Sequence, residues 1–459
     1  MTERPSHQTA VLVTTILASS LAFIDGTVVN VGLSAISASF HSNAADMQWL
    51  INAYMLPLST LLLLGGAVGD HFGRARWLVI GTAAFAIASF GCALAPTLPW
   101  LLTARVVQGV SAAFLMPNSL AILGASFTGE SRGRAIGIWA AAGAAMAAVG
   151  PVLGGWLIDT IGWRSIFFLN LPPAAGAIVL ALKYVPDTRR GKKTLPLDLP
   201  GALIATAAMG ALTWGLTIGS GKSGWTMMAI ACCIVGVALT IGFVLIEKWR
   251  GERAMMPLAL FGSATFIGLT LLTLFLYGAL GALTVLIPFL LIKTSGYTGT
   301  QAGSALLPLA IILAVLSPWM GKLAGRIGPR WPLSLGPLGV AVGFLLMLRV
   351  GEHTDYWTTL FPAVIVMAVG MAGAVAPLTT AVLSSVDERY TGSASGFNSA
   401  IARSAGLIAI ASLGSVFGAT GAALVGGFHI AAWACAIASA AAAVSAFLFV
   451  HVEARDVKR

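Results

Sequence analysis

Long apolar runs, interrupted at intervals by short polar clusters, dominate the sequence. A helix needs roughly 20 mainly apolar residues to cross the hydrocarbon core of a bilayer. On that rule the chain divides into fourteen predicted spans, among them 9–39, 98–127, 134–158, 165–185, 301–323, 357–384 and 393–418. The first run starts a few residues after Arg4 and continues through Asp25 and Asn30 without a small-residue cleavage site. It reads as an uncleaved first helix rather than a secretory signal.

Composition turns this pattern into a class. Of 459 residues, 58% are hydrophobic and 9% charged, with a mean hydropathy of +0.91. Soluble domains carry roughly 25% charged residues, so this chain has too few to cover a water-facing surface. A soluble enzyme, a nucleic-acid binder and a disordered scaffold are excluded. The net charge of +10 is scattered in short clusters such as Arg74/Arg76, Arg132/Arg134 and Arg189/Arg190/Lys192/Lys193, not gathered on one basic face. The four cysteines, Cys92, Cys232, Cys233 and Cys435, all fall within apolar runs and read as small fillers, with no disulfide framework or zinc spacing.

Charge placement also predicts orientation. With the N-terminus in the cytoplasm, most of the 26 Lys and Arg residues fall on that side, and only Arg164, Lys222, Lys293 and Arg349 fall outside. That is the positive-inside bias expected of a cell (inner) membrane protein with both termini cytoplasmic.

Two loops repeat. GDHFGRAR from Gly69 follows span two and AGRIGPR from Ala324 follows span ten, while GESRGRA from Gly129 has a weaker counterpart in DERYTGS from Asp387. These anchors predict an all-α membrane protein of two six-helix bundles, residues 1–185 and 258–459, with two inserted helices and their charged linkers at 186–257. Paired repeats around a central site are a recurrent transporter plan. In the first loop Asp70, Arg74 and Arg76, with Glu130 in the next loop on the same side, read as a cytoplasmic latch rather than a topology signal alone.

The loop GAVGDHFGRAR from Gly66 resembles the signature of the major facilitator superfamily. FIDGTVVNVGL from Phe23, LLTARVVQGVSAA from Leu101, GAAMAAVGPVLGG from Gly143, GWRSIFFLNLPP from Gly162 and SASGFNSAIARSAG from Ser393 are similar to motifs of its fourteen-helix drug:proton antiporter branch. The resemblance implies proton-coupled efflux of lipophilic small molecules, with Gly150, Pro151, Gly154 and Gly155 forming the antiporter motif of the fifth helix. It departs from the family pattern at Gly325, which stands at the acidic position of the second-half loop and makes the latch one-sided.

Ionisable groups inside a bilayer are costly and mark functional candidates. Asp25 lies about 24 Å along the first span at 1.5 Å per residue, and Arg105 about 10 Å below the outer end of span four. Their depths match, so they are expected to meet and to couple protons. Arg403 lies near mid-depth in span thirteen; Tyr54, Gln108, Asn118 and Asn398 are further candidates for the substrate cavity. A phosphate-binding loop fails because Leu216 replaces its first glycine, and no metal-ligand histidine pair occurs. The expected partners are protons, membrane lipid and a neutral, weakly acidic or at most monocationic lipophilic substrate. No nucleic acid, metal or cofactor is expected, and a monomer suffices. Export of a native metabolite or lipid, with drug efflux incidental, is the alternative that the sequence leaves open.

Overall fold

The computed structural model describes residues 5–127, 129–186, 198–221, 224–251, 258–352, 354–386 and 391–450. The first eight helices are α1 (Pro5–Phe40), α2 (Ala44–Phe72), α3 (Arg74–Ala93), α4 (Leu98–Ser126), α5 (Gly129–Thr160), α6 (Ser165–Tyr184), α7 (Leu199–Ser220) and α8 (Met227–Arg250). The remaining six are α9 (Ala264–Thr294), α10 (Gly299–Ile327), α11 (Arg330–Arg349), α12 (Tyr356–Ser384), α13 (Thr391–Ala411) and α14 (Gly421–Phe449).

Thirteen helices among the described residues are long and apolar enough to cross a membrane. The exception is α13, which carries Ser395, Asn398, Ser399, Arg403 and Ser404 in its 21 residues. It nevertheless runs the height of the bundle, because Gly396 meets Leu63 near one end and the Ala411 carbonyl meets Gln48 at the other. It is also shorter than the predicted 393–418, since the chain turns after Ala411 and forms a separate turn at Gly414–Phe417.

Local chemistry sets the helix ends. At the start of α2, Asn43 and Asp46 form a reciprocal capping box at 3.1 and 2.9 Å, which satisfies two end donors that would otherwise lack partners. The two repeated loops turn on Gly73 and Gly328, whose φ values of 112° and 85° favour a residue without a Cβ. Three predicted spans are interrupted. In α6 the break at Leu169–Asn170 precedes Pro172 and Pro173, and in α10 the break before Leu307 precedes Pro308, so these prolines fall in the first turn of the new segment, where a missing N–H leaves no bond unmade. The third, α12, opens with a wide turn at Tyr356–Leu360.

The packing repeats. In the first half α1 packs on α5 and α6, α2 on α4, and α3 on α4 and α6. In the second half α9 packs on α13 and α14, α10 on α12, and α11 on α12 and α14. The halves meet where α1 touches α9, α2 touches α13 and α5 touches α10, while α7 and α8 pair with each other and α7 docks on α2 and α13. The bundle end where α1 starts is the near end here, and the opposite one is the far end.

At the far end the seam between α5 and α10 is tight: a Cβ on Gly155 would sit 2.2 Å from the Gly299 carbonyl oxygen, and one on Gly303 would sit 2.2 Å from that of Pro151. Toward the near end the same two helices expose Ile138, Val315 and Leu323. The seam is closed at the far end.

Candidate functional site

Asp25, in the middle of α1, is fully buried and forms an ion pair with Arg105 of α4, which is 1% exposed. The expected meeting of these two charges is direct. Four helices and a helix break complete the site. Arg105 Nε donates to the Leu50 carbonyl of α2 at 3.2 Å, and Nη1 also donates to Gln108 Oε1 at 3.0 Å. The guanidinium lies 4.4 Å from the centre of the Tyr54 ring, whose hydroxyl donates to the Ala22 carbonyl at 3.2 Å. Gln108 Nε2 and Asn170 Nδ2 each donate to Asp25 Oδ1 at 3.3 Å.

These positions follow from local structure. Arg105 and Gln108, three residues apart on α4, share one face. Gly109 lets that face approach α2, since a Cβ there would lie 2.2 Å from the Tyr54 carbonyl oxygen. Asn170 is presented by the break in α6 and is held by a bond to Ser89 Oγ at 3.0 Å; Ser89 in turn donates to the Phe167 carbonyl at 2.8 Å. Cys92 Sγ donates to Gln108 Oε1 at 3.3 Å. Three contributors to the site, Ser89, Cys92 and Asn170, were therefore not singled out by the sequence. Cys92 is a hydrogen-bonding member of the site as well as a filler. The one available signal was an asparagine immediately before a Leu-Pro-Pro run within a span.

The site holds its two charges paired and away from water. A buried carboxylate and guanidinium stabilise each other, and removing either charge leaves the other unpaired at a cost of about 3–5 kcal/mol. The antiporter-motif glycines lie against the same stretch of α1: a Cβ on Gly150 would meet Thr27 Oγ1 at 2.6 Å, and one on Gly154 would meet Val28 Cγ2 at 2.1 Å. Gly155 and Pro151 face α10 instead. This helix therefore joins the charged site to the seam between the halves.

The other candidates are dispersed. Asp70 pairs with Arg74 at 2.6 Å within its own loop, and Arg74 Nη1 donates to the Ala121 carbonyl of α4 at 3.1 Å. Arg76 is exposed, and the Glu130 side chain lies outside the described residues. Asn118 is buried between α2 and α4, donating to the Gly65 and Phe114 carbonyls at 3.2 and 2.6 Å; it fastens two helices and lines no open space. Gln108 belongs to the charged site, and Tyr54 is buried beside it. Asn398 is partly exposed and accepts from Thr273 Oγ1 at 2.6 Å. Arg403 is partly exposed and donates to Met116 Sδ at 3.2 Å across the gap between the halves. An apolar hollow of about 460 Å³, lined by Met320, Trp331, Leu335 and Val369 among others, lies between α10, α11 and α12, away from all of these groups.

A many-helix membrane bundle with a buried charge pair and small-residue seams is an architecture that recurs in transporters. The chain belongs to the Major Facilitator Superfamily, whose family model matches residues 15–410 and 269–459. Its relatives fall in the drug:proton antiporter branch that the motifs resemble. It is 34% identical over 423 residues to the multidrug resistance protein Stp of Mycobacterium tuberculosis, covering 90% of this chain and 76% of that one. It is 31% identical to the tetracenomycin C resistance and export protein of Streptomyces glaucescens, covering 85% and 72%. Among solved structures it resembles a peptide transporter of the POT family, with a TM-score of 0.71 at 14% identity over 97% and 95% of the two chains. A bacterial homologue of the lysosomal transporter Spinster gives a TM-score of 0.65 at 18% identity, over 97% of each chain. At these identities the solved structures speak to the fold alone.

Proposed function

We propose that the protein exports lipophilic small molecules in exchange for protons, by alternating access between two six-helix halves at 1–185 and 258–459. The observation that carries this reading is the Asp25–Arg105 pair, buried against the glycine helix that reaches the seam between the halves. The relatives' names, which describe multidrug resistance and antibiotic export, support the direction of transport.

In this reading α13 is the fourteenth crossing, its polar residues sheltered by α2 and α9, and both termini lie in the cytoplasm. The near end then faces the cytoplasm, and the closed far seam shuts the outer side of the path. Asp25 takes a proton when the site is open to the outside. Its neutralisation frees Arg105 to lean on Gln108, Leu50 and Tyr54, and α1 resettles against Gly150 and Gly154. Asp25 is the one carboxylate deep within a described span, so one proton is exchanged per cycle. A neutral substrate then moves one net charge and a monocation none, with each charge worth about 2.3 kcal/mol per 100 mV.

Purified protein in liposomes with an imposed pH gradient tests this. Export should require the gradient in the wild type and should lose its dependence in Asp25→Asn. Gradient-independent transport by the wild type would refute proton coupling.

A further inference from the structure

Arg403 is the charge in the middle of the molecule that the proton site does not use. It lies 12 residues into α13, about 18 Å along the helix at 1.5 Å per residue. Its side chain crosses from the second half to α4 of the first, where its hydrogen-bond partner is Met116 Sδ at 3.2 Å. A thioether is a weak acceptor and carries no charge, whereas a guanidinium has five N–H donors and keeps its proton under all ordinary conditions. Among the described residues no carboxylate forms an ion pair with Arg403. The nearest buried acid on the path, Asp25, is committed to Arg105, Gln108 and Asn170.

The surroundings favour negative charge over positive. Asn398, about 7.5 Å back along α13, has its oxygen engaged by Thr273 Oγ1, and its amide N–H groups have no hydrogen-bond partner among the described residues. Arg105, on the same face of α4 behind Tyr54, is already neutralised by Asp25 and leaves Arg403 as the uncompensated charge. A group entering between α4 and α13 therefore meets an uncompensated cation on the α13 side and apolar Met116 on the other. Arg403 is partly exposed, so an entering group can reach it.

We propose that Arg403 is the anion-binding point of the substrate site, and that the preferred substrates are lipophilic molecules carrying a single carboxylate, phenolate or sulfonate. The proposal narrows the substrate class of the export reading and rests on that reading only for the statement that the bound molecule is transported. An anion at Arg403 pairs a charge that otherwise lacks one inside a low-dielectric interior, where a charge-assisted bond is about twice as strong as a neutral one. A dication gains nothing there and meets the unpaired guanidinium.

The test is a binding measurement, which needs neither a proton gradient nor transport. Three pyrene probes with one ring system and different head groups serve: pyrenebutyrate, pyrenebutanol and a pyrenylbutyl trimethylammonium. Binding to the full chain in nanodiscs of uncharged lipid is read by energy transfer from tryptophan. The wild type should bind pyrenebutyrate at least about tenfold more tightly than pyrenebutanol, the equivalent of about 1.4 kcal/mol, and the cation most weakly. Arg403→Met should abolish the preference while leaving pyrenebutanol binding unchanged, which also reports a folded site. Arg403→Lys should retain part of the preference. Met116→Glu supplies an internal carboxylate and should abolish it with Arg403 still in place. Equal binding of the three probes by the wild type, or an undiminished preference in Arg403→Met, would overturn the proposal. Displacement of pyrenebutyrate by sulfate beyond an ionic-strength-matched chloride control would assign the site to a free inorganic anion and overturn the substrate class. Anion-selective binding without any transport would instead refute the export reading and leave this site standing.

Discussion

The carboxylate of Asp159, at the end of α5, caps the first turn of α10 through Thr300, accepting from its backbone N–H at 2.8 Å and from its hydroxyl at 2.6 Å. The Gly299 N–H adds a third bond at 3.0 Å. The capped turn is held in place by a reciprocal box between Thr298 and Gln301. At the same end, Gln48 of α2 donates to the carbonyls of Ile410 and Ala411 in α13 at 2.9 and 2.8 Å. The two halves are therefore tied at the far end by polar bonds to backbone atoms, which can be broken and remade without repacking apolar side chains. Asp159→Ala should weaken this closure by about 1 kcal/mol, a roughly fivefold shift in population. The check is the rate at which a membrane-impermeant maleimide reaches a cysteine at Asn30 from the outside; it should rise by that factor.

The glycines of α5 make separable predictions. Gly155→Ala places a Cβ against the Gly299 backbone, which cannot yield as a flexible side chain can. It should cost the far-closed state about 1–3 kcal/mol, in the range of overpacked cores. Gly137, on the same helix, has open space where its Cβ would be. Gly137→Ala should leave thermal stability and transport unchanged, and parallel melting curves of the two variants decide the matter.

In the loop between α2 and α3, Arg74 bridges Asp70 and the α4 carbonyl of Ala121, whereas Arg76 is exposed. Arg74→Ala should reduce export and raise cytoplasmic-side cysteine labelling. Arg76→Ala should stay within about twofold of the wild type, because surface substitutions usually fall within about 0.5 kcal/mol. Equal losses in efflux assays of the two variants would contradict a specific role for the Asp70–Arg74 pair.

Asn170 donates to the ionised Asp25 and should matter more than its weak sequence signal suggests. Hydrogen bonds to charged groups contribute about 1.5–3 kcal/mol, so Asn170→Ala should lower gradient-driven transport by roughly tenfold or more. Ser89→Ala should do less, since Ser89 reaches Asp25 only through Asn170. Initial rates in proteoliposomes would rank the two variants.

Much of this architecture was legible in the sequence because the bilayer imposes a coarse code. Apolar length gave most helices, and charges stranded in apolar runs singled out Asp25, Arg105 and Arg403. What stayed hidden depends on packing between distant segments. Gln108 and Asn118 look alike on α4, yet one turns to Asp25 and the other to the Gly65 backbone. Asn170 acts from a helix break whose position becomes meaningful only when α6 lies beside α1 and α3. The polar face of α13 made it the weakest span by hydropathy, and its residues make sense only against α2, α4 and α9.

The export reading turns on Asp25 as the carrier of the coupling proton. Asp25→Asn keeps the shape and buried position of the side chain and removes only its capacity to ionise. In proteoliposomes with an imposed pH gradient, this variant should bind substrate and fold as the wild type does, and its transport should no longer respond to the gradient. Full gradient-driven transport by Asp25→Asn would contradict the account.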